Sequence, residues 1–370
     1  LHFGEDDILI VLQYSDDLLF ACTDDDKKAD FLKALSKRFD HTANPIASWY
    51  LQARIRQDEK FNITLDQYRY SRSVVRRYLP NSPAEASPQD CKRYADPLPY
   101  GFKFSIKDLS KTEEDVKKLE SEYGWKFREV VGSLNFLLNT ALSMLYCTRK
   151  ACKMMHLPGE PHFKALLHML HHLRCHPPGA IKFYSDVSKS PLAHMLIEAG
   201  HPDLDPSFVY ATDSSFQDCD DSRSTACHLG FLQGGLVDPN SFVPAPIAHS
   251  SAEAENNGYC VTCMSAAHLR MIWMELLHGD SNRPYTVPIL VDSAAADYMT
   301  KNDKDTKRTR HIERRWQFSR YCRKQGLVSM HKVDGNTHQL ADVGTKNLTM
   351  KEAKPKYDIM TVPNIDDKPP

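Results

Sequence analysis

No apolar run in these 370 residues approaches the roughly 18 that a membrane-crossing helix needs, so no membrane partner is expected. The opening residues, Leu1-His2-Phe3-Gly4-Glu5-Asp6-Asp7, do not form a secretion signal. They lack a starting Met and run almost directly into a strand, which reads as a fragment or a processed product. The ten cysteines show no framework spacing and read as reduced thiols of an intracellular protein. An excess of charge of one sign is missing too: 47 Lys and Arg against 48 Asp and Glu leave a net of −1. A nucleic-acid partner would therefore have to meet a local basic patch rather than a global field. No internal repeat is visible.

What is present is ordinary for a globular protein: 41% hydrophobic and 26% charged residues, in a length that suits two or three domains. Ile8 to Leu12 reads as a buried strand, and Leu18 to Ala21 as a second strand after the turn Tyr14-Ser15-Asp16-Asp17. Asp24 to Phe39 reads as a helix with an apolar face of Leu32, Leu35 and Phe39. Two short strands (49–56 and 61–65) and a helix (67–78) would complete a first α+β unit over 1–80. Prolines 80, 83, 88, 97 and 99 mark residues 81–111 as a linker. Residues 112–204 read as a helical connection. Strands resume at 208–210 and 228–231, followed by a long helix from Ala252 to Leu277, a strand from Val287 to Val291 and two further helices. Residues 349–370 read as a polar tail rich in Lys and Pro.

Four acids stand where strands or helices begin or end. Asp213 closes the strand at 209–212, Glu255 lies in the first turns of the long helix, Asp292 closes the strand at 289–291, and Asp342 opens a helix. Clustered carboxylates raise one another's pKa, and hard divalent cations relieve that repulsion. Two ions about 4 Å apart can activate water and stabilise the leaving oxygen of a phosphodiester. Among 48 acids, however, solvated side chains at strand ends are the ordinary alternative.

The contexts of these acids resemble the ribonuclease H domain of copia-type retrotransposon polyproteins. Tyr210-Ala211-Thr212-Asp213-Ser214-Ser215 is similar to that family's first acidic strand. Asp221 to Thr225 with Leu229-Gly230-Phe231, the helix start Ser250-Ser251-Ala252-Glu253-Ala254-Glu255 with Trp273 near the helix end, Arg308-Thr309-Arg310-His311-Ile312, and Gln339 to Lys346 follow in the family's order. The resemblance implies an α+β or α/β chain whose C-terminal domain, 205–348, is a mixed sheet flanked by helices. It implies endonucleolytic cutting of the RNA strand of an RNA/DNA hybrid by two Mg²⁺ ions, or Mn²⁺, on Asp213, Glu255, Asp292 and Asp342. Glu255 is preferred to Glu253 because residues two apart on a helix point about 200° apart. Gly258, three positions after Glu255, supplies the small residue expected where that helix packs closely. Ser215, Asn256, Gly258 and Val243-Pro244-Ala245-Pro246 depart from the family pattern. Those at Ser215, Asn256 and Pro244 motivate an alternative, a degenerate or co-opted non-catalytic protein that keeps the fold as an interaction module.

Tyr14-Ser15-Asp16-Asp17 and its flanks resemble the metal-binding hairpin of the same family's reverse transcriptase palm, and Val131-Gly132-Ser133-Leu134 resembles the connection between the two domains. The resemblance implies partners in the remainder of a polyprotein (fingers, upstream palm and integrase) and a cytoplasmic particle or the nucleus as location. With only Asp16 and Asp17 of a three-carboxylate set, polymerisation by this chain alone is not expected. Lys307, Arg308, Arg310, Arg314, Arg315, Arg320, Arg323 and Lys324 form a basic stretch, either a solvated helix face or a phosphate-tracking surface for the hybrid. His168, His172, Cys175 and His176 could share a helix face as zinc ligands, though packing roles are the plainer reading; Cys260 and Cys263 read as core.

Overall fold

The structure, a computed structural model, describes residues 8–292 and 313–364 apart from Pro45 and Ala84, and only the backbone of 313–315. The chain opens with an antiparallel hairpin, β1 (Leu9–Tyr14) and β2 (Asp17–Cys22), closed by a two-residue turn in which Ser15 takes a positive φ of 52°. Helix α1 (Asp25–Ser36) follows, capped by the Asp24 carboxylate, which accepts from the amides of Asp26 and Lys27. The strand expected to be buried is largely exposed: in β1 only Leu9 is buried, because a two-stranded sheet has no second layer to cover it.

A second sheet combines β3 (Trp49–Tyr50), β4 (Ala53–Gln57) and β5 (Ile63–Asp66). Then come α2 (Tyr68–Tyr78), α3 (Pro88–Arg93), α4 (Glu113–Tyr123), α5 (Phe127–Leu137), α6 (Leu145–Cys152) and α7 (Glu160–Cys175). The stretch read as a linker is thus partly ordered: α3 carries a Ser87–Asp90 capping box, and Leu98 is buried in the core. Strand β6 (Ile181–Phe183) lies in a region expected to be helical throughout, and it joins the second sheet antiparallel to β5. Helix α8 (Pro191–Glu198) leads into the C-terminal part.

There β7 (Phe208–Ser214), β8 (Ala226–Leu232) and β9 (Gly235–Phe242) run antiparallel to their neighbours. Pro239 is tolerated because β9 is an edge strand. After α9 (Ser251–His278), β10 (Val287–Val291) lies parallel to β7. Beyond α10 (Glu313–Lys324), β11 (Val328–Lys332) lies parallel to β10. The order β11-β10-β7-β8-β9 makes a five-stranded mixed sheet. Short α11 (Asp342–Thr345) and α12 (Met350–Met360) end the described chain. The tail read as polar therefore holds a helix, with a Thr349–Glu352 capping box and Ala353, Lys356 and Met360 buried. Its charged composition hid an apolar face only a few residues wide.

Strand alternation divides the core between the two faces of the mixed sheet. Phe208, Tyr210, Val287, Ile289 and Val291 pack with Tyr259, Cys263 and Ala266 of α9 and Cys322 of α10. Val209, Ala211, Cys227, Leu229, Phe231 and Leu290 point the other way, into a larger core shared with α2 and α5 to α8. The chain is thus a mixed α+β protein whose connecting helices form the second layer on the C-terminal sheet. Among the described residues no helix is long and apolar enough to cross a membrane.

Candidate active site

Asp213 is the penultimate residue of β7 and is almost fully buried. Glu255 stands in the second turn of α9. The Ser250 hydroxyl caps that helix by accepting from the Glu253 amide at 3.2 Å, and the Glu253 carboxylate accepts from the His249 amide at 2.9 Å. Glu253 is therefore occupied at the cap, while Glu255 faces the end of β7. The helix sits close on the sheet because position 258 has no side chain: a Cβ there would run into Ser214 Oγ and lie 3.1 Å from Ala226 Cβ. Thr262 fastens the next turn, donating to Thr212 Oγ1 at 2.9 Å. Asp292 follows the last residue of β10, and Gly335 passes so near that a Cβ on it would lie 3.0 Å from Asp292 Oδ2.

One carboxylate oxygen each from Asp213, Glu255 and Asp292 lies within 4.8 Å of the others, and among the described residues no other group of three potential metal ligands is this close. Burial, reinforced by Asp213 and Asp292, pushes the Glu255 carboxyl up to about 9, against the pull of Lys346 and a hydrogen bond from the Ser214 backbone. Burial likewise raises Asp213 to about 6, against the Lys346 ammonium and the hydroxyl of Thr345, which donates to its Oδ2. Three hard oxygen donors in mutual reach, two of them reluctant to ionise unaided, fit a divalent cation.

Asp342, the fourth expected acid, is not in this group. Its Oδ1 pairs with Lys346 Nζ, and its Oδ2 lies 3.3 Å from Lys356 Nζ. Lys356 is buried and also donates to Gln339 O at 2.7 Å, while the Gln339 side chain donates to Thr212 O at 2.9 Å and so ties this loop to β7. Lys346 Nζ stands 3.8 Å from Asp213 Oδ2, between the two acids. The sequence reading did not single out Thr345, Lys346 or Lys356. The first two lie in the quoted block 339–346, and their spacing from Asp342 was the available signal. Lys356 had none, being in the stretch read as a tail.

The remaining candidates lie elsewhere. Asp16 occupies the exposed hairpin turn and Asp17 begins β2, and among the described residues they belong to no group of three close potential metal ligands. Lys307, Arg308 and Arg310 lie outside the described residues, as do the side chains of Arg314 and Arg315. The histidines of α7 hold the 81–111 segment instead of zinc. His168 Nε2 donates to Asp96 O at 3.0 Å, His172 Nδ1 to Tyr94 O at 3.0 Å and, just past the helix, His176 Nε2 to Cys91 O at 3.2 Å. Burial pulls His172 down to about 3, so its ring is neutral. Cys260 and Cys263 are buried, and none of the ten cysteines is in a disulfide.

Fold and site together define a mixed-sheet α+β protein with a carboxylate group suited to a divalent cation. No protein-family profile matches the chain. Three curated relatives do. The chain is 24% identical over 343 residues (92% of this chain, 21% of the relative) to the retrovirus-related Pol polyprotein from transposon RE2 of Arabidopsis thaliana. It is 24% identical over 347 residues (93% and 24%) to that from transposon TNT 1-94 of Nicotiana tabacum. It is 25% identical over 345 residues (92% and 21%) to that from transposon RE1 of Arabidopsis thaliana. The resemblance to copia-type retrotransposon polyproteins therefore holds along nine-tenths of the chain, which spans a quarter or less of these relatives' length. Among solved structures, ribonuclease H1 from the archaeon Halobacterium salinarum NRC-1 aligns with 40% of this chain and 96% of its own, at 14% identity. Its TM-score is 0.27, and nothing about the site follows from so low a value.

Proposed function

We propose that the part of the chain from about 205 to 348 is a ribonuclease H-like unit that hydrolyses the RNA strand of an RNA/DNA hybrid in a divalent-cation-dependent way. The observation that carries this reading is the convergence of Asp213, Glu255 and Asp292 within 4.8 Å. The sequence blocks around these acids and the likeness to Pol polyproteins support it. A bound divalent cation would polarise the scissile phosphate and lower the pKa of an attacking water. The chain's own groups orient the donors: Thr345 and Lys346 hold Asp213, and the Ser214 amide holds Glu255. Phosphates would be tracked by the basic stretch from Lys307 to Lys324, and RNA told from DNA by its 2′-hydroxyls. The hairpin around Asp16 and Asp17 is read as a palm remnant that extends no primer alone.

A non-catalytic, co-opted role is favoured by one feature. Asn256, beside Glu255, is buried, and among the described residues neither its amide nitrogen nor its oxygen has a partner, which is costly in a maintained site. Incubating the full chain with labelled hybrid in Mg²⁺ or in EDTA decides between the two. Mg²⁺-dependent cutting that is lost in Asp213→Asn and Asp292→Asn supports the enzyme; wild-type cutting in either variant, or none in the parent, sinks it.

A further inference from the structure

The loop that runs from β7 to β8 carries a thiol with no part in the proposed reaction. Cys219 stands there, half-buried, beside the end of α6. We propose that Cys219 and Lys153 form a peroxide-responsive pair: hydrogen peroxide converts the Cys219 thiol to a sulfenic acid, and the Lys153 amine traps it as a sulfenamide that joins this loop to α6.

Two elements bring the reacting atoms together. Lys150 lies in the last turn of α6 and Lys153 just past it, three residues on and so on the same side. Lys153 Nζ donates to Cys219 Sγ at 3.2 Å across a separation of 66 residues, and Lys150 Nζ lies 3.4 Å from the same sulfur. The two lysines differ in what else holds them. Lys150 is buried and donates to Asp218 Oδ2 at 2.5 Å and to Thr225 Oγ1 at 2.6 Å. Burial opposes its charge, but Tyr146 and Asp218 together raise it above its ordinary value. Lys150 therefore stays an ammonium with no lone pair to give. Lys153 is exposed, and its proton exchanges with solvent. The loop keeps the sulfur in place. Asp218 accepts from the Thr225 amide and hydroxyl, both at 2.7 Å, and the Cys219 amide donates to Arg223 O at 3.1 Å. Thiols deeper in the protein compete poorly for peroxide, since burial pushes Cys147, Cys227 and Cys263 up.

The chemistry balances with one peroxide. The Cys219 sulfur attacks it: an S–O bond forms, the O–O bond breaks and one water leaves. Sulfur is oxidised by two electrons and the peroxide is reduced by two. The Lys153 nitrogen then attacks that sulfur, an N–S bond forms, the S–O bond breaks, and the hydroxyl departs with a proton from nitrogen as a second water. Sulfenic acids condense with backbone nitrogen in the same way. Two equivalents of a thiol reductant return the free thiol and amine and become a disulfide.

The test follows the bond itself. The full chain is treated with hydrogen peroxide, digested without reductant and mapped by mass spectrometry. The expected product joins the peptide containing Lys153 to that containing Cys219, lighter than their sum by two hydrogens, and dithiothreitol separates them. Lys153→Arg keeps the charge but removes the nucleophilic amine, so its sulfenic acid should persist and be labelled at Cys219 by dimedone far more than in the wild type. Cys219 that takes up oxygen without joining Lys153, a link to Lys150 instead, or an unreacted Cys219 overturns the proposal. Equal dimedone labelling in the two proteins does so as well.

Discussion

Two glutamates two residues apart end in different electrostatic settings because a helix turns them to different sides. Glu253 stabilises the start of α9 through Ser250 and His249, whereas Glu255 is pressed against Asp213 and Asp292. Glu255→Gln should remove hybrid cleavage with little loss of melting temperature. Glu253→Gln, whose amide oxygen can still accept from the His249 amide, should keep cleavage and lower stability only slightly. The opposite pattern in paired cleavage and thermal-melt assays would reverse the assignment. The raised Glu255 carboxyl also sets a pH dependence. Between its ordinary value of 4.5 and about 9 the folded chain holds a proton that the unfolded chain has lost. Stability of the metal-free protein should therefore fall as pH rises through that window. Buried His172 acts with the opposite sign, but only below its ordinary 6.5, and the buried thiols of Cys147, Cys227, Cys263 and Cys322, raised by burial from 9.0, add to the fall as pH nears 9, so the difference between wild type and Glu255→Gln isolates the glutamate. Melting temperature in EDTA should decline from pH 7 to 9, and Glu255→Gln should flatten the decline. Equal slopes in the two proteins would mean that Glu255 is not the group responsible.

At the scale of elements, the close seat of α9 on β7 and β8 depends on Gly258. Gly258→Val would push the helix from Ser214 and Ala226 and so displace Glu255, three residues back. Overpacking of this kind costs roughly 1–3 kcal/mol. Both melting temperature and cleavage should drop, and a variant unchanged in both would show that the helix has room to spare. The long helix and β10 were legible from the sequence because their apolar patterns are long or bounded by turn residues, and the expected strand β10 and observed strand agree from Val287 to Val291. Three elements were not. β6 is three residues long, and pairing with β5, more than a hundred residues earlier, makes it a strand. β11 reads Val-Ser-Met-His-Lys, too polar to stand out until it pairs with β10. In α12, Lys356 is buried by its ties to Asp342, Asn336 and Gln339, which no local pattern announces.

For the whole molecule, the mixed sheet is not a self-sufficient unit. Its second face, with Val209, Leu229, Phe231 and Leu290, is covered by the helices of the connection, in one core with Phe127, Leu134, Leu145, Leu166 and Leu170. Residues 205–348 excised alone should therefore expose that face. Such a fragment is expected to bind a hydrophobic dye and to lose a cooperative thermal transition, while the full chain keeps one. A sharp, dye-free melt of the fragment would refute the shared core. By contrast, the β1–β2 hairpin packs chiefly against α1, so its removal should leave the mixed sheet's melt nearly unchanged.

The sequence by itself determined the acids that could act and the elements that carry them, because strand ends, caps and apolar periodicity are local properties. It also determined the likeness to retrotransposon polyproteins, since motif blocks survive in order along a chain. Only the tertiary structure decided which acids meet. Asp213, Glu255 and Asp292 converge because parallel β10 and the crossing α9 deliver them to one end of β7. Asp342 is drawn instead to Lys346 and Lys356, because a buried carboxylate pairs with whatever cation the packing brings within reach. That choice depends on distances between residues far apart in the chain, which spacing along it does not encode.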